Sequence, residues 1–321
     1  MKLLEVVLDH SLSRRTVLAG AAASLIAPGR ASAQERTAIT MAGLPEDSAT
    51  PVLYAIDTGA FKRVGLDVTI QGQRSGSAVA SGVAGGAYQI GKISMYPLIE
   101  AHAKGIPFVI IAGGGLSTPT NPLAGLMARP DSPIKTPADL AGKTVGVGSL
   151  TDMFSLTMRA WMDRHGVDYT TLKMVEIPIS ALGEAIASGR VDAGAANEPI
   201  LSGALATGKV RLVSHMEDAI APRFLSTAWC AMRSWADANR SACERFAKVV
   251  RETSAYANTH SSATVDTIAA FTSIDPAVIR RMKRTEAATS LDAASIQPVI
   301  DLIAHFKEIP AAFPAKELIW T

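Results

Sequence analysis

Pro51-Val52-Leu53-Tyr54-Ala55-Ile56-Asp57-Thr58-Gly59-Ala60-Phe61-Lys62-Arg63-Val64-Gly65-Leu66-Asp67-Val68-Thr69-Ile70 contains one complete helix-to-strand unit. Val52, Leu53, Ile56, Ala60 and Phe61 recur at helical spacing, so the segment from Pro51 to Arg63 is expected to be a helix. Gly65 stops it, because glycine accepts the left-handed backbone that ends a helix. Leu66, Val68 and Ile70 then alternate with Asp67 and Thr69, as in a strand with one buried face. Upstream, Ala38 to Ala42 is a first strand ending in the Gly43-Leu44-Pro45 turn. Downstream, Ser75-Gly76-Ser77 opens a helix, Gln89-Ile90-Gly91 is a short strand, and Ser94 to Ala103 is a helix closed by Gly105. Pro107 to Ala112 is a buried strand. Strands alternating with helices of this length predict parallel βαβ units.

A second set of units starts after the Pro-punctuated run Ser132 to Leu140. Lys143 to Val147 is a strand, Ser149 to Arg164 a helix with Trp161 and Met162 inward, and Leu172 to Ile177 a strand. Ser180 to Ser188 is a helix closed by Gly189, and Val191 to Ala195 is another short strand. Leu225 to Met232 reads as a strand returning from this unit. The tail from Asp237 to Phe306 reads as almost wholly helical, its segments limited by Pro276 and Pro298. The expected architecture is two α/β lobes, with the C-terminal helices covering the first.

The N-terminus reads as an export address. Arg14-Arg15 precede a weakly apolar run from Val17 to Ala27, and Ala31-Ser32-Ala33 is a small-x-small cleavage site. The apolar run is too short for a spanning helix, which needs roughly 20 residues. A twin-arginine signal over 1–33, removed after Ala33, leaves a periplasmic chain of about 288 residues. The formal charge of the whole chain is +2. Removing Lys2, Arg14, Arg15 and Arg30 against Glu5 and Asp9 brings it to zero, so nothing electrostatic favours a nucleic-acid partner. The two cysteines are too few for a disulfide scaffold, and the six histidines have no neighbouring carboxylate or cysteine at metal-ligand spacing. No cofactor or metal is expected. Gly86 to Lys92 approaches a phosphate-binding loop, but Ile93 stands where Ser or Thr would hold magnesium. Neither a nucleophile elbow nor any other catalytic constellation is visible.

Three blocks carry a family resemblance. Tyr54 to Val68, Asp131 to Val147, and Ala185 to Ala193 with Glu198-Pro199 behind it resemble the solute-binding proteins of nitrate, sulfonate and taurine importers. The resemblance implies a two-lobed periplasmic-binding-protein fold of type II with two crossover hinge strands. Lobe 1 is then 34–127 plus 230–321, lobe 2 is 128–229, and the hinges lie around Leu126 to Arg129 and Thr227 to Met232. It also implies an ABC permease in the inner membrane as partner, a monomeric carrier, and no enzymatic activity. Related carriers of pyrimidines or thiamine precursors keep a second ligand class open, and a sensor role stays open beside import. The related thiamine-pyrimidine synthases carry a cysteine-rich metal motif, which Cys230 and Cys243 do not supply.

Ligands of open α/β lobes bind outside the carboxyl ends of the strands, at helix N-termini. Pro45 and Asp47 follow the first strand, Arg74, Ser75, Gly76 and Ser77 the second, and Ser94 the third. Ser149, Thr151 and Asp152 follow the first strand of lobe 2. Ser75-Gly76-Ser77 offers hydroxyls and backbone N–H groups to an anionic oxygen, or Ser75 is an ordinary N-cap worth about 1 kcal/mol. Asp152 either caps its helix or faces a donor on the ligand. Glu198 is a candidate acceptor for a ligand amine, and Trp229 either stacks on a planar ligand or packs in the core. The expected ligand is a small organic anion, a sulfonate or carboxylate; the acidic residues leave a zwitterion or a pyrimidine as alternatives.

Overall fold

The computed structural model describes residues 36–122 and 124–321. The export signal expected over 1–33 lies outside the described residues. The first lobe opens with β1 (Thr37–Gly43), α1 (Thr50–Asp57), α2 (Ala60–Arg63) and β2 (Leu66–Gly72). The helix expected over Pro51 to Arg63 is therefore two helices, broken where Gly59 takes φ 70°. Next come α3 (Gly76–Ala84), β3 (Ile90–Ser94), α4 (Met95–Ala103), β4 (Phe108–Gly113) and β5 (Gly115–Ser117).

The second lobe holds β6 (Ala124–Ala128), β7 (Thr144–Val147), α5 (Met153–Arg164) and β8 (Lys173–Glu176). It continues through α6 (Ile179–Ala187), β9 (Ala193–Asn197), α7 (Ile200–Ala206) and β10 (Arg211–Ser214). The chain returns through β11 (Phe224–Leu225) and β12 (Thr227–Met232), so the single strand expected over Leu225 to Met232 is divided at Ser226. The tail forms α8 (Arg233–Ala238), α9 (Arg240–Thr259), α10 (Val265–Thr272), α11 (Pro276–Arg281), β13 (Glu286–Ala287) and α12 (Gln297–His305).

The two five-stranded sheets share one plan. The first runs β2-β1-β3-β12-β4 and the second β8-β7-β9-β6-β10. In each, the fourth strand is antiparallel to both neighbours and is the first strand after the chain crosses from the other lobe. This corrects the expected boundaries. A division after 127 cuts β6, which pairs along its length with β9 of lobe 2. A division before 230 cuts β12, which pairs with β3 and β4 of lobe 1. The residues expected to be hinges are thus inside the lobe sheets, held by ladder hydrogen bonds. One crossing leaves from β5 and the other returns into β11, neighbours in a small sheet of order β11-β5-β13.

Burial follows the patterning. Every residue of β4 and β6 is buried, as expected for strands covered on both faces. On lobe 1, Phe61 of α2 stacks on Phe246 of α9 with ring centroids 5.4 Å apart, which fixes the long tail helix over the first sheet. On lobe 2, a Cβ on Gly146 of β7 would lie 2.4 Å from Leu182 Cδ1, so glycine there lets α6 sit directly on the sheet. A third cluster joins the lobes on one side: Met153, Leu156 and Ala160 of α5 pack with Tyr96 and Ile99 of α4 and Ile303 of α12.

Candidate functional site

The loops leaving the carboxyl ends of β1 and β9 meet between the lobes. The Asp47 N–H donates to the Glu198 carbonyl at 3.3 Å. Beside that contact lies a polar cluster of four side chains. Lys92, on β3, is fully buried; its ammonium pairs with Glu46 and donates to Ser48 Oγ at 2.6 Å. Ser48 Oγ in turn donates to Glu46 Oε1 at 3.1 Å. The other Glu46 oxygen accepts from Asn197 Nδ2 of lobe 2. One carboxylate thus bridges a cation of lobe 1 and an amide of lobe 2. Burial pulls the Lys92 pKa below its usual value, while the Glu46 carboxylate opposes that fall. Gly43 makes the approach possible: a Cβ there would sit 3.3 Å from Lys92 Cβ.

Glu46 and Lys92 were within the candidate loops, yet sequence reasoning chose Asp47 beside them and missed Asn197 altogether. A lone lysine in the apolar strand Ile90-Gly91-Lys92-Ile93 was the available signal, because a buried ammonium requires a counter-charge.

Asp47 has a different role from the one expected. It is 2% exposed, and its oxygens accept from Arg284 Nε at 2.8 Å, Thr285 N at 2.6 Å and Thr50 Oγ1 at 3.0 Å. It ties the β1 loop to the tail and has little capacity left for a ligand. Glu198 is likewise engaged: its carboxylate accepts from Ser202 N at 3.0 Å and Ser202 Oγ at 2.8 Å, in the first turn of α7. Desolvation holds the Glu198 carboxyl above its ordinary value against those hydrogen bonds. Trp229 is 1% exposed and lies edge-on to Phe246, in the lobe 1 core rather than a ligand face.

The lobe 2 turn closes on itself. Asp152 accepts from Ser155 N at 2.8 Å and Ser149 N at 2.9 Å, so it is the N-cap of α5. Burial raises its carboxyl to about 6 even so. The N–H of Leu150 donates to Glu176 Oε1 at 3.0 Å, and that of Thr151 to Ser149 Oγ at 3.3 Å. These backbone donors already face oxygen within the turn, and of the two roles expected for Asp152 the helix cap is the one it fills here.

The lobe 1 side differs. Ser75 caps α3, its Oγ accepting from Ala78 N at 3.2 Å and lying 3.0 Å from Ser77 Oγ. A Cβ on Gly76 would meet nothing within 4 Å, and Ser77 beside it is exposed, so there is room at the first turn of the helix. Arg74 and Pro45 are exposed, and Ser94 is half-buried at the end of β3. A depression of about 550 Å³ lined by Trp161, Arg164 and His165 lies beside the crossings, away from the strand ends. Among the described residues no group of three or more His, Cys, Asp or Glu is placed to hold a metal ion. Cys230 and Cys243 are both buried and unpaired.

Two sheets of one plan, each completed by a strand from a crossover, with strand-end loops meeting between them, define a two-lobed α/β fold of the periplasmic-binding-protein type. The chain belongs to the NMT1/THI5-like family, whose description matches residues 47–263. It is 28% identical over 161 residues to the formylaminopyrimidine-binding protein of Halalkalibacterium halodurans, covering 50% of this chain and 47% of that protein. The chain thus spans about half the length of that relative. It is 24% identical over 241 residues to a protein of Escherichia coli (strain K12) described as aliphatic sulfonates-binding, covering 73% of each. The crystal structure of the alkanesulfonate-binding protein of Xanthomonas axonopodis pv. citri, bound to MOPS, superposes with TM-score 0.75. The two are 18% identical over 89% of this chain and 99% of that one, a likeness that establishes the shared fold.

Proposed function

We propose that this chain is the solute-binding component of an ABC importer, exported by its twin-arginine signal to the periplasm. There it closes two lobes over one small organic anion, a sulfonate or carboxylate, and delivers it to a permease in the inner membrane. The observation that carries this reading is the contact between lobes at the strand ends, where Asn197 of lobe 2 reaches the Glu46–Lys92 pair of lobe 1. A ligand that touches both lobes favours the closed form by its differential affinity for the two states. The free N-terminus of α3 at Ser75-Gly76-Ser77 supports an anion, since its partial positive charge and open N–H groups suit acidic oxygens.

A pyrimidine ligand is the second reading, favoured by the similarity to a formylaminopyrimidine-binding protein. Thermal-shift screening of the chain from Gln34 onward separates the two. A ligand at 100 times its dissociation constant adds about 2.7 kcal/mol of stability. Stabilisation by alkanesulfonates or carboxylates supports the first reading, and stabilisation by pyrimidines alone supports the second. A folded protein that no solute of either class stabilises argues against a carrier.

A further inference from the structure

The cluster at Lys92 narrows the ligand further, resting on the carrier reading above. Lys92 is a fully buried cation whose counter-charge is Glu46, and Glu46 is the one member of that pair with a path to water: its side chain is 14% exposed against 0% for Lys92. Removing one partner of a buried ion pair is costly because the other charge stays desolvated. A neutral solute therefore cannot take the place of Glu46, whereas an acidic one can. The nearby Arg284 guanidinium is already paired with Asp47 at 2.8 Å, so the place offers one positive charge.

We propose that the carboxylate of Glu46 and the acidic group of the ligand compete for one seat, formed by Lys92 Nζ and Ser48 Oγ of lobe 1 and Asn197 Nδ2 of lobe 2. On binding, a carboxylate or sulfonate takes the seat and Glu46 swings outward to solvent. The seat needs two oxygens on one centre, one facing Lys92 and Ser48 and the other facing Asn197, which is the arrangement Glu46 itself displays. Having one cation, it selects monoanions over dianions. Binding through that seat clasps both lobes and so couples recognition to closure.

The test is isothermal titration of the chain from Gln34 onward with butanesulfonate, butyrate, butylphosphonate at pH 8.5, and 4-aminopyrimidine. Glu46→Gln keeps the shape of the side chain and one acceptor oxygen for Lys92 and Ser48, while removing the competing charge and the acceptor that Asn197 Nδ2 meets. It is expected to bind butanesulfonate or butyrate at least about tenfold more tightly than the unmodified protein, with 4-aminopyrimidine unaffected. The double variant Glu46→Gln/Lys92→Gln, which leaves no unpaired buried charge, is expected to lose that gain. Butylphosphonate is expected to bind at least about tenfold more weakly than butanesulfonate. Weaker or unchanged acid binding by Glu46→Gln overturns the competition, and if that variant does not fold, undiminished acid binding by the double variant does so. A protein that binds 4-aminopyrimidine but neither acid in any form overturns the seat while leaving the carrier reading intact. If no probe binds folded protein of any form, both fall.

Discussion

Replacing Asp47 by alanine tests whether this residue is part of the fold or part of the ligand site. Its side chain is 1% exposed and faces three donors, one of them the guanidinium of Arg284, whose side chain is 17% exposed. Truncation leaves a largely buried guanidinium without its counter-charge and the Thr285 N–H without an acceptor. Breaking a buried pair in this way costs about 3–5 kcal/mol. For a domain of this size each kcal/mol lowers the melting midpoint by about 2–4 °C, so a fall of roughly 10 °C is expected. The assay is thermal unfolding followed by circular dichroism. Adding Arg284→Met to Asp47→Ala is expected to restore part of the loss, because the orphaned charge is then gone. An Asp47→Ala protein that melts within about 2 °C of the parent but no longer responds to its ligand would refute the reasoning, and return Asp47 to the ligand site where sequence reasoning had put it.

Three further outcomes follow from the packing and the titrating groups. Asp152, raised from 3.8 to about 6 by burial, binds a proton more tightly in the folded protein, so its contribution is full below about pH 4 and lost as pH rises through 6. Relative to Asp152→Asn, the parent should therefore gain about 1 kcal/mol between pH 7 and pH 5 in urea titrations. Trp229→Ala should cost about 3–5 kcal/mol in the same assay and leave the ranking of ligands unchanged, because the indole is in the core against Phe246. Gly146→Ala should cost about 1–3 kcal/mol, since its methyl group would meet Leu182 Cδ1 at 2.4 Å.

Much of the fold could be read locally and some of it could not. Alternation in Leu66 to Ile70, the stop at Gly65 and the helix carrying Trp161 and Met162 depend on neighbours in sequence, and the structure has them in those states. The membership of β6 and β12 was not legible, since no local pattern tells which sheet a crossing strand will join. β6 is buried throughout and β12 over its four central residues, and such runs fit either lobe equally well. The same limit applied to the site. The strand-end loops were identifiable from spacing, but whether a carboxylate in them is free depends on partners far along the chain. Asp47 meets Arg284, 237 residues away, and Glu46 meets Asn197, 151 residues away. Asp152 and Glu198 are engaged nearer by: Asp152 caps α5, one of the two roles the sequence leaves open for it, and Glu198 accepts from Ser202 four residues on.

The two walls of the cleft are electrostatically unequal, and this bears on the order of events in binding. On lobe 2 the backbone donors of the turn at 149–151 already face Asp152, Glu176 and Ser149, so that wall offers an anion little. On lobe 1 the α3 N-terminus is open and the Lys92 ammonium lies below the β1 loop. An acid arriving at the open protein therefore gains most of its electrostatic stabilisation from lobe 1, before any closure. Lobe 2 contributes afterwards through Asn197, a neutral donor that costs far less than a charge to desolvate. Asn197→Ala should accordingly leave encounter with butanesulfonate nearly as fast as in the parent and shorten the residence time. Stopped-flow fluorescence checks this through the two rate constants. A variant that slowed association instead, with dissociation untouched, would place first contact on lobe 2 and contradict the asymmetry.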